Sequence, residues 1–158
     1  MTTHTERRHV PYTPEQMFEL VAAVDAYPEF LPWCTAARIR RRSEHLIVAD
    51  LAIGYKAVRE KFTSEVHLHR PSRIDITYSD GPFKYLNSRW QFERGPGGTR
   101  IIDFHVDFEF RSRLLQRIIG LFFHEAVRRM VRAFETRAAR LYGDGAGTAE
   151  PSVEGPAA

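Results

Sequence analysis

The segment from Ser112 to Tyr142 constrains the fold of this chain more than any other. Leu115, Ile118, Ile119, Phe122, Phe123, Ala126, Val127, Met130, Phe134 and Leu141 recur at spacings of three and four, the period of one helix face. Ser112 stands before the pattern as an N-cap, and Gly143 follows it where a glycine stop belongs. A helix of this length runs to ~46 Å at ~1.5 Å per residue. Its apolar stripe needs a broad partner, and the rest of the chain has to supply one.

What precedes the helix reads mostly as strands. Thr5 to Val10 is a short polar edge strand, and Pro11 and Pro14 bracket a turn. Thr13, Pro14 and Gln16 form a capping-box start for a first helix whose apolar face is Met17, Phe18, Val21 and Val24. The stretch Asp25 to Cys34 holds two prolines and three aromatics; it fits one turn of helix and an apolar loop, and an apolar loop covers something or is covered. From Ala36 the chain alternates apolar and polar residues in successive runs, with turns expected at Ser43-Glu44, Gly54-Tyr55, Pro71-Ser72, Ser79 to Pro82 and Gly95 to Gly98. Short turns make the sheet antiparallel, with one wet and one buried face. The fold class is therefore α+β: a curved antiparallel sheet of about seven strands that grips the C-terminal helix, with two short helices after the first strand.

Length and composition bound the rest. At 158 residues one domain is expected, here residues 1–142, and residues 143–158 have the composition of a disordered tail. Cys34 is the single cysteine, so no internal disulfide forms and a reducing compartment is expected. The N-terminus shows no apolar signal region, and the longest nearly apolar run, Ile118 to Phe123, is far below the roughly 20 residues of a membrane span. A cytoplasmic protein is expected, with any membrane contact peripheral at the inner face. Dinucleotide, P-loop and Cys-x-x-Cys motifs are absent, and DNA is not an expected partner.

Two sets of polar residues invite a chemical reading. Asp103, His105, Asp107 and Glu109 share one strand face, but Phe104, Val106, Phe108 and Phe110 need the buried face, so the polar four point outward and no metal site is expected. Glu60 falls on the inward parity with Val58, Phe62, Ser64 and Val66; it either reaches solvent or an arginine at a strand end or anchors a ligand inside an apolar cavity. Tyr78 offers the same alternative. The solvent face of the long helix is basic: eight arginines against two glutamates between residues 111 and 142 give +6, in a chain of formal charge +3. That face is either simply solvated or meets an anionic partner, phospholipid or RNA, through Arg113, Arg117, Arg128 and Arg132.

Three segments carry a family resemblance: Tyr27 to Cys34, Gly54-Tyr55-Lys56 with Glu60 to Val66, and Gly81 to Leu86 with Trp90-x-Phe92. With the order of elements, they resemble the coenzyme Q-binding branch of the START-like, helix-grip (START/Bet v 1-like) superfamily over about His4 to Tyr142. The resemblance implies a non-catalytic protein that binds ubiquinone, or a related polyprenyl quinone or other lipid, in a cavity and supports respiratory electron transport. The same branch includes a ribosome-association toxin and borders polyketide cyclase-like proteins, so a ribosome-binding regulator of translation and a cyclase-like enzyme are the alternatives. No catalytic cofactor is implied. The expected cavity contacts are Phe30, Leu31 and Trp33 of the apolar loop; Val58, Glu60, Phe62, Ile76, Tyr78, Leu86, Trp90, Phe104, Val106 and Phe108 of the strands; and Leu115, Ile119, Phe122, Phe123, Val127 and Met130 of the helix. Which of Phe122 and Phe123 points inward stays open from sequence.

Overall fold

A computed structural model describes residues 2–55 and 58–143. The chain runs β1 (Thr2–His9), α1 (Pro14–Ala22), a 3₁₀ helix (Val24–Glu29), β2 (Cys34–Arg42), β3 (Leu46–Tyr55), β4 (Val58–His69), β5 (Arg73–Asp80), β6 (Phe83–Arg94), β7 (Arg100–Phe110) and α2 (Arg113–Tyr142), with a short 3₁₀ turn at Pro96–Gly98. All strand pairs are antiparallel, in the order β1-β7-β6-β5-β4-β3-β2. The first and second strands are thus the two edges of the curved sheet. The connection between them, α1 and the 3₁₀ helix, has to cross from one edge to the other.

Local chemistry sets the boundaries. The Thr13 side chain accepts from the Gln16 N–H at 3.0 Å, and the Gln16 side chain accepts from the Thr13 N–H at 2.9 Å, so two donors at the start of α1 are satisfied reciprocally. Ser112 Oγ accepts from the Leu115 N–H at the start of α2, and Gly143, at φ 83°, ends it. Gly81, at φ 144°, sits where a Cβ would lie 2.6 Å from that of Phe62, so the β5–β6 turn demands glycine. The first helix ends at Ala22 rather than Val24, because Val24 already belongs to the 3₁₀ helix that carries Pro28. Gly54 and Tyr55 are not a turn: they pair with Arg59 and Val58 in the β3–β4 ladder, and the connection at 56–57 lies outside the described residues, as does the expected tail from 144 onward.

The alternation in β7 is complete. Phe104, Val106, Phe108 and Phe110 are buried, while Asp103, His105, Asp107 and Glu109 face outward and find surface partners: Arg7 for Asp103 at 2.9 Å, Thr5 for His105 at 2.9 Å, and Lys84 for Glu109 at 3.1 Å. The α2 residues Phe123, Val127, Met130, Val131, Phe134 and Ala138 are buried. Burial of one such large side chain is worth roughly 1.5–3 kcal/mol. Phe134 is the hub, with ring centroids 5.1 Å from Trp90, 5.5 Å from Tyr27 and 5.2 Å from Phe30. Tyr142 Oη donates to the Gln16 carbonyl, and His124 Nδ1 lies 2.7 Å from His4 Nδ1. These contacts tie α2 to α1 and to the β1 edge.

On the outer face Asp75 accepts from Arg89 Nε at 2.8 Å and Arg73 Nε at 3.0 Å. Burial alone would lift the Asp75 carboxyl, but hydrogen bonds and charge from Arg89 and Arg73 outweigh it and hold it below the usual range. A folded-state value below the unfolded one adds stability above the unfolded carboxylate range and loses it as pH falls through the folded value. Asp75→Asn should therefore cost about 0.5–1 kcal/mol at pH 7 and progressively less as pH falls through the folded value, read as urea midpoints over an acid pH series starting at pH 7.

Candidate ligand cavity

The side chains between the curved sheet and α2 do not close the space between them. A cavity of ≈ 220 Å³ remains, partly open to solvent. The middle strands supply Leu51, Ile53, Phe62, Ser64, Val66 and Ile76; β6 and β7 supply Phe83, Leu86, Ser88, Trp90, Phe104, Val106, Phe108 and Phe110. The α2 wall is Ile119, Phe122, Phe123, Ala126, Val127, Met130 and Phe134, and Val24, Tyr27, Leu31 and Trp33 close the side toward the first connection. The frame is held by aromatic packing, with Trp90 at 4.4 Å from Phe104, Phe83 stacked at 4.8 Å on Phe110, and Phe108 at 4.8 Å from Phe123. Such pairs add roughly 0.5–1.5 kcal/mol each beyond area burial, so the wall is firm enough to keep the space open.

Polar atoms are almost missing from this wall. The Tyr27 hydroxyl donates to the Val21 carbonyl, and burial pushes its pKa up with a smaller push from Cys34. It is a satisfied neutral group. Ser64 is 1% exposed, and its Oγ has no hydrogen-bond partner among the described residues. No aspartate, glutamate, histidine, lysine or arginine is in the wall.

Most of the expected contacts are there: Leu31 and Trp33 of the loop, seven strand residues from Phe62 to Phe108, and five of six on α2. Phe122 and Phe123 both face the cavity, with Phe123 buried and Phe122 half-buried. Five expected contacts lie off the wall. Phe30 covers the outer side of Phe134, with the Arg137 guanidinium 5.1 Å from its ring centroid. Val58 and Glu60 have the inward parity but sit at the start of β4, beyond Phe62, where the wall begins. Tyr78 packs edge-on to Phe83 at 5.3 Å and gives its hydroxyl to the Gly81 carbonyl. Leu115 is one turn ahead of Ile119, the first α2 residue of the wall. Ser64, Val66 and Phe110 have the inward parity without being named as contacts, and Leu51, Ile53 and Ser88 join them in the wall. Val24 carries only the apolar-face signal of the first helix, and Tyr27 and Phe83 carry none, because tertiary packing is what brings a helical turn and a turn-flanking residue to the cavity.

Arg113, Arg117, Arg128 and Arg132 are all exposed, and none is in an ion pair found among the described residues. By contrast, Arg129 pairs with Glu125 at 2.9 Å and Arg137 with Glu29 at 3.0 Å. A ridge on the same solvent face is apolar at one end: Leu114 is 66% and Leu121 75% exposed, with half-buried Ile118 between them. No helix is long and apolar enough to cross a membrane among the described residues.

The family model described as polyketide cyclase / dehydrase and lipid transport matches residues 10–135. The chain belongs to that START-like family. Among its relatives, the ribosome association toxin RatA of Rickettsia prowazekii is 37% identical over 142 residues, covering 87% of this chain and 97% of the relative. The mitochondrial coenzyme Q-binding protein COQ10 homolog B of Xenopus laevis is 34% identical over 144 residues, covering 89% of this chain and 59% of its own. The solution structure of the 18 kDa protein CC1736 from Caulobacter crescentus superposes with a TM-score of 0.73 at 36% identity, over 90% of this chain and 99% of that one. The helix-grip family fold and the curved seven-stranded sheet are thus the same architecture.

Cys34 stands beside the cavity but not in its wall. Its thiol donates to the Ala36 carbonyl at 3.6 Å, and burial pushes its pKa up to about 11, against a small lowering from that bond. The native thiol should react with a disulfide reagent at pH 8 at least roughly 100-fold more slowly than a free thiol, and at the ordinary rate in urea.

Proposed function

We propose that this START-like protein binds a neutral hydrophobic ligand of the polyprenyl quinone class, ubiquinone above all, and carries or shelters it without acting on it chemically, in support of respiratory electron transport. The observation that carries the reading is the cavity wall, built from apolar and aromatic side chains with no charged group in it. Pockets of this composition bind through apolar burial plus a few placed polar groups. A cyclase-type reaction would need an acid and a base at the cavity; Glu60 and Tyr78, the candidates for that pair, both lie off the wall. A relative named as a coenzyme Q-binding protein agrees with the quinone class.

The volume of ≈ 220 Å³ lies below the roughly 300 Å³ at which drug-sized ligand pockets start. It suits a ring and the first units of a tail, with the remainder of a long chain leaving through the open side. At roughly 0.8 kcal/mol per buried methylene, partial burial already gives useful affinity. The ridge Leu114, Ile118 and Leu121 adjoins the wall residues Ile119 and Phe122 on the same stretch of α2. Leucines exposed among unpaired arginines fit the head-group region of an anionic bilayer, which takes both apolar side chains and positive charge.

The second reading, a ribosome-associating regulator of translation, is favoured by the relatives named as ribosome association toxins. It would use the same arginines on RNA phosphates and has no need of the leucine ridge.

Titration with decylubiquinone should quench tryptophan fluorescence saturably, since Trp33 and Trp90 line the cavity, and lipid extracts of the purified protein should contain a quinone. No saturable binding and no extracted quinone would overturn the carrier reading. Sedimentation with vesicles holding anionic phospholipid should be lost in Leu114→Asp/Leu121→Asp. Sedimentation with ribosomal subunits that survives this change but fails in Arg128→Glu/Arg132→Glu would favour the second reading.

A further inference from the structure

The buried hydroxyl of Ser64 is the feature of the cavity that the fold itself leaves unexplained. Ser64 lies in the middle of β4, opposite Ala49 on β3 and Tyr78 on β5. Ala49 has no polar side-chain atom, and the Tyr78 hydroxyl is already given to the Gly81 carbonyl. The inward neighbours along the strand, Phe62 and Val66, are apolar wall residues. Ser64 is 1% exposed, lines the cavity, and its Oγ meets no hydrogen-bond partner among the described residues.

An unpaired buried hydroxyl is costly, and in a central strand valine or alanine would suit the empty fold better. The hydroxyl gains a partner if the cavity's occupant brings one. The wall also limits what that partner can be. It holds no cationic side chain, so a carboxylate or phosphate drawn in beside Ser64 would lose its hydration with nothing to replace it. A neutral oxygen with free lone pairs suffers no such penalty, and a serine hydroxyl is a ready donor to it.

We propose that Ser64 Oγ–H donates a hydrogen bond to a neutral oxygen acceptor of the bound ligand, a quinone carbonyl or an ether oxygen, and so fixes the polar end of the molecule against β4. This rests on the carrier reading and adds to it the residue that separates an oxygen-bearing ligand from a plain hydrocarbon. Ser88, half-buried two strands away and also in the wall, is the other hydroxyl available to the same ring.

The test compares two probes with the same tail, decylubiquinone and decylbenzene, by displacement of N-phenyl-1-naphthylamine from the full chain. In Ser64→Ala the affinity for decylubiquinone should fall roughly tenfold, the size of one hydrogen bond, while decylbenzene binds as before. The variant without ligand should melt no lower than the original, because it removes an unpaired buried group. The quinone carbonyl stretch should move to lower frequency on binding to the original chain and return toward its free position in Ser64→Ala. Ser64→Cys, close in size but a weaker donor, should fall between the two and serves if the alanine variant fails to fold. An unchanged decylubiquinone affinity, or a parallel loss for both probes, overturns the assignment while the carrier reading stands. Failure of the original chain to bind either probe overturns both.

Discussion

Everything in this molecule depends on one packing arrangement: a 30-residue α2 laid against a curved seven-stranded sheet. At its C-terminal half the helix meets the sheet closely. Phe134 and Ala138 are buried, and Phe134 fills the space between Trp90, Tyr27 and Phe30. Toward the N-terminal half Ile119, Phe122 and Ala126 line the cavity. One helix face thus serves as core and as cavity wall at once, with Phe123, Val127, Met130 and Phe134 both buried and in the wall. The C-terminal end is clamped by the Tyr142 bond to Gln16 and by the Tyr12 bond to the Gly143 carbonyl.

Polarity is sorted by the same geometry. The convex face of the sheet carries the ionised groups, and they are paired there, with Asp75 between Arg73 and Arg89, Asp103 with Arg7, and Glu109 with Lys84. Exposed pairs of this kind add little stability each. The inward charges of the β1 edge, Glu6 and Arg8, are paired with each other and with Glu135 of α2, outside the cavity wall. On the concave face Tyr27 is turned back to its own connection. What is left is a low-dielectric pocket in which a single hydroxyl, that of Ser64, counts for more than it would in water.

The architecture was legible in sequence because it rests on period. Alternation in β7 puts Phe104, Val106, Phe108 and Phe110 inside and Asp103, His105, Asp107 and Glu109 outside, as the structure has them. The three- and four-residue spacing of α2 located the helix, and Ser112 and Gly143 located its ends. The site was less legible because parity says which face a side chain takes, not how far along the strand the cavity extends. Glu60 and Val58 share the parity of Phe62 and Ser64, yet the wall starts at Phe62. Phe30 was misplaced for a related reason: an aromatic in an apolar loop has to cover something, but only the position of Phe134 and Arg137 tells that it covers the outside of the core. Tyr27 and Val24 reach the cavity from a helical turn whose direction no local rule predicts.

The two faces of α2 are also independent in a physical sense. Phe123, Val127 and Met130 act through packing inside the domain, while Leu114, Leu121, Arg128 and Arg132 touch solvent. Substitutions that share no partners generally add in free energy, so a loss of ligand binding and a loss of surface docking can be produced one at a time. This separation matters because two kinds of relatives share the fold at similar identity, one named for coenzyme Q and one for ribosome association. A helix that presents an apolar wall inward and unpaired cations outward is compatible with either name. Such a family can change its docking partner by editing the outer ridge without rebuilding the cavity. In this chain the ridge turns from leucine and isoleucine at 114, 118 and 121 to Glu125, Arg128 and Arg132 at the next positions of the same spacing. The change from apolar to charged falls beside the wall residues Phe122 and Ala126. A surface that only had to attract RNA would gain nothing from that gradient; one that has to sit at a lipid interface and pass an apolar ligand across it would.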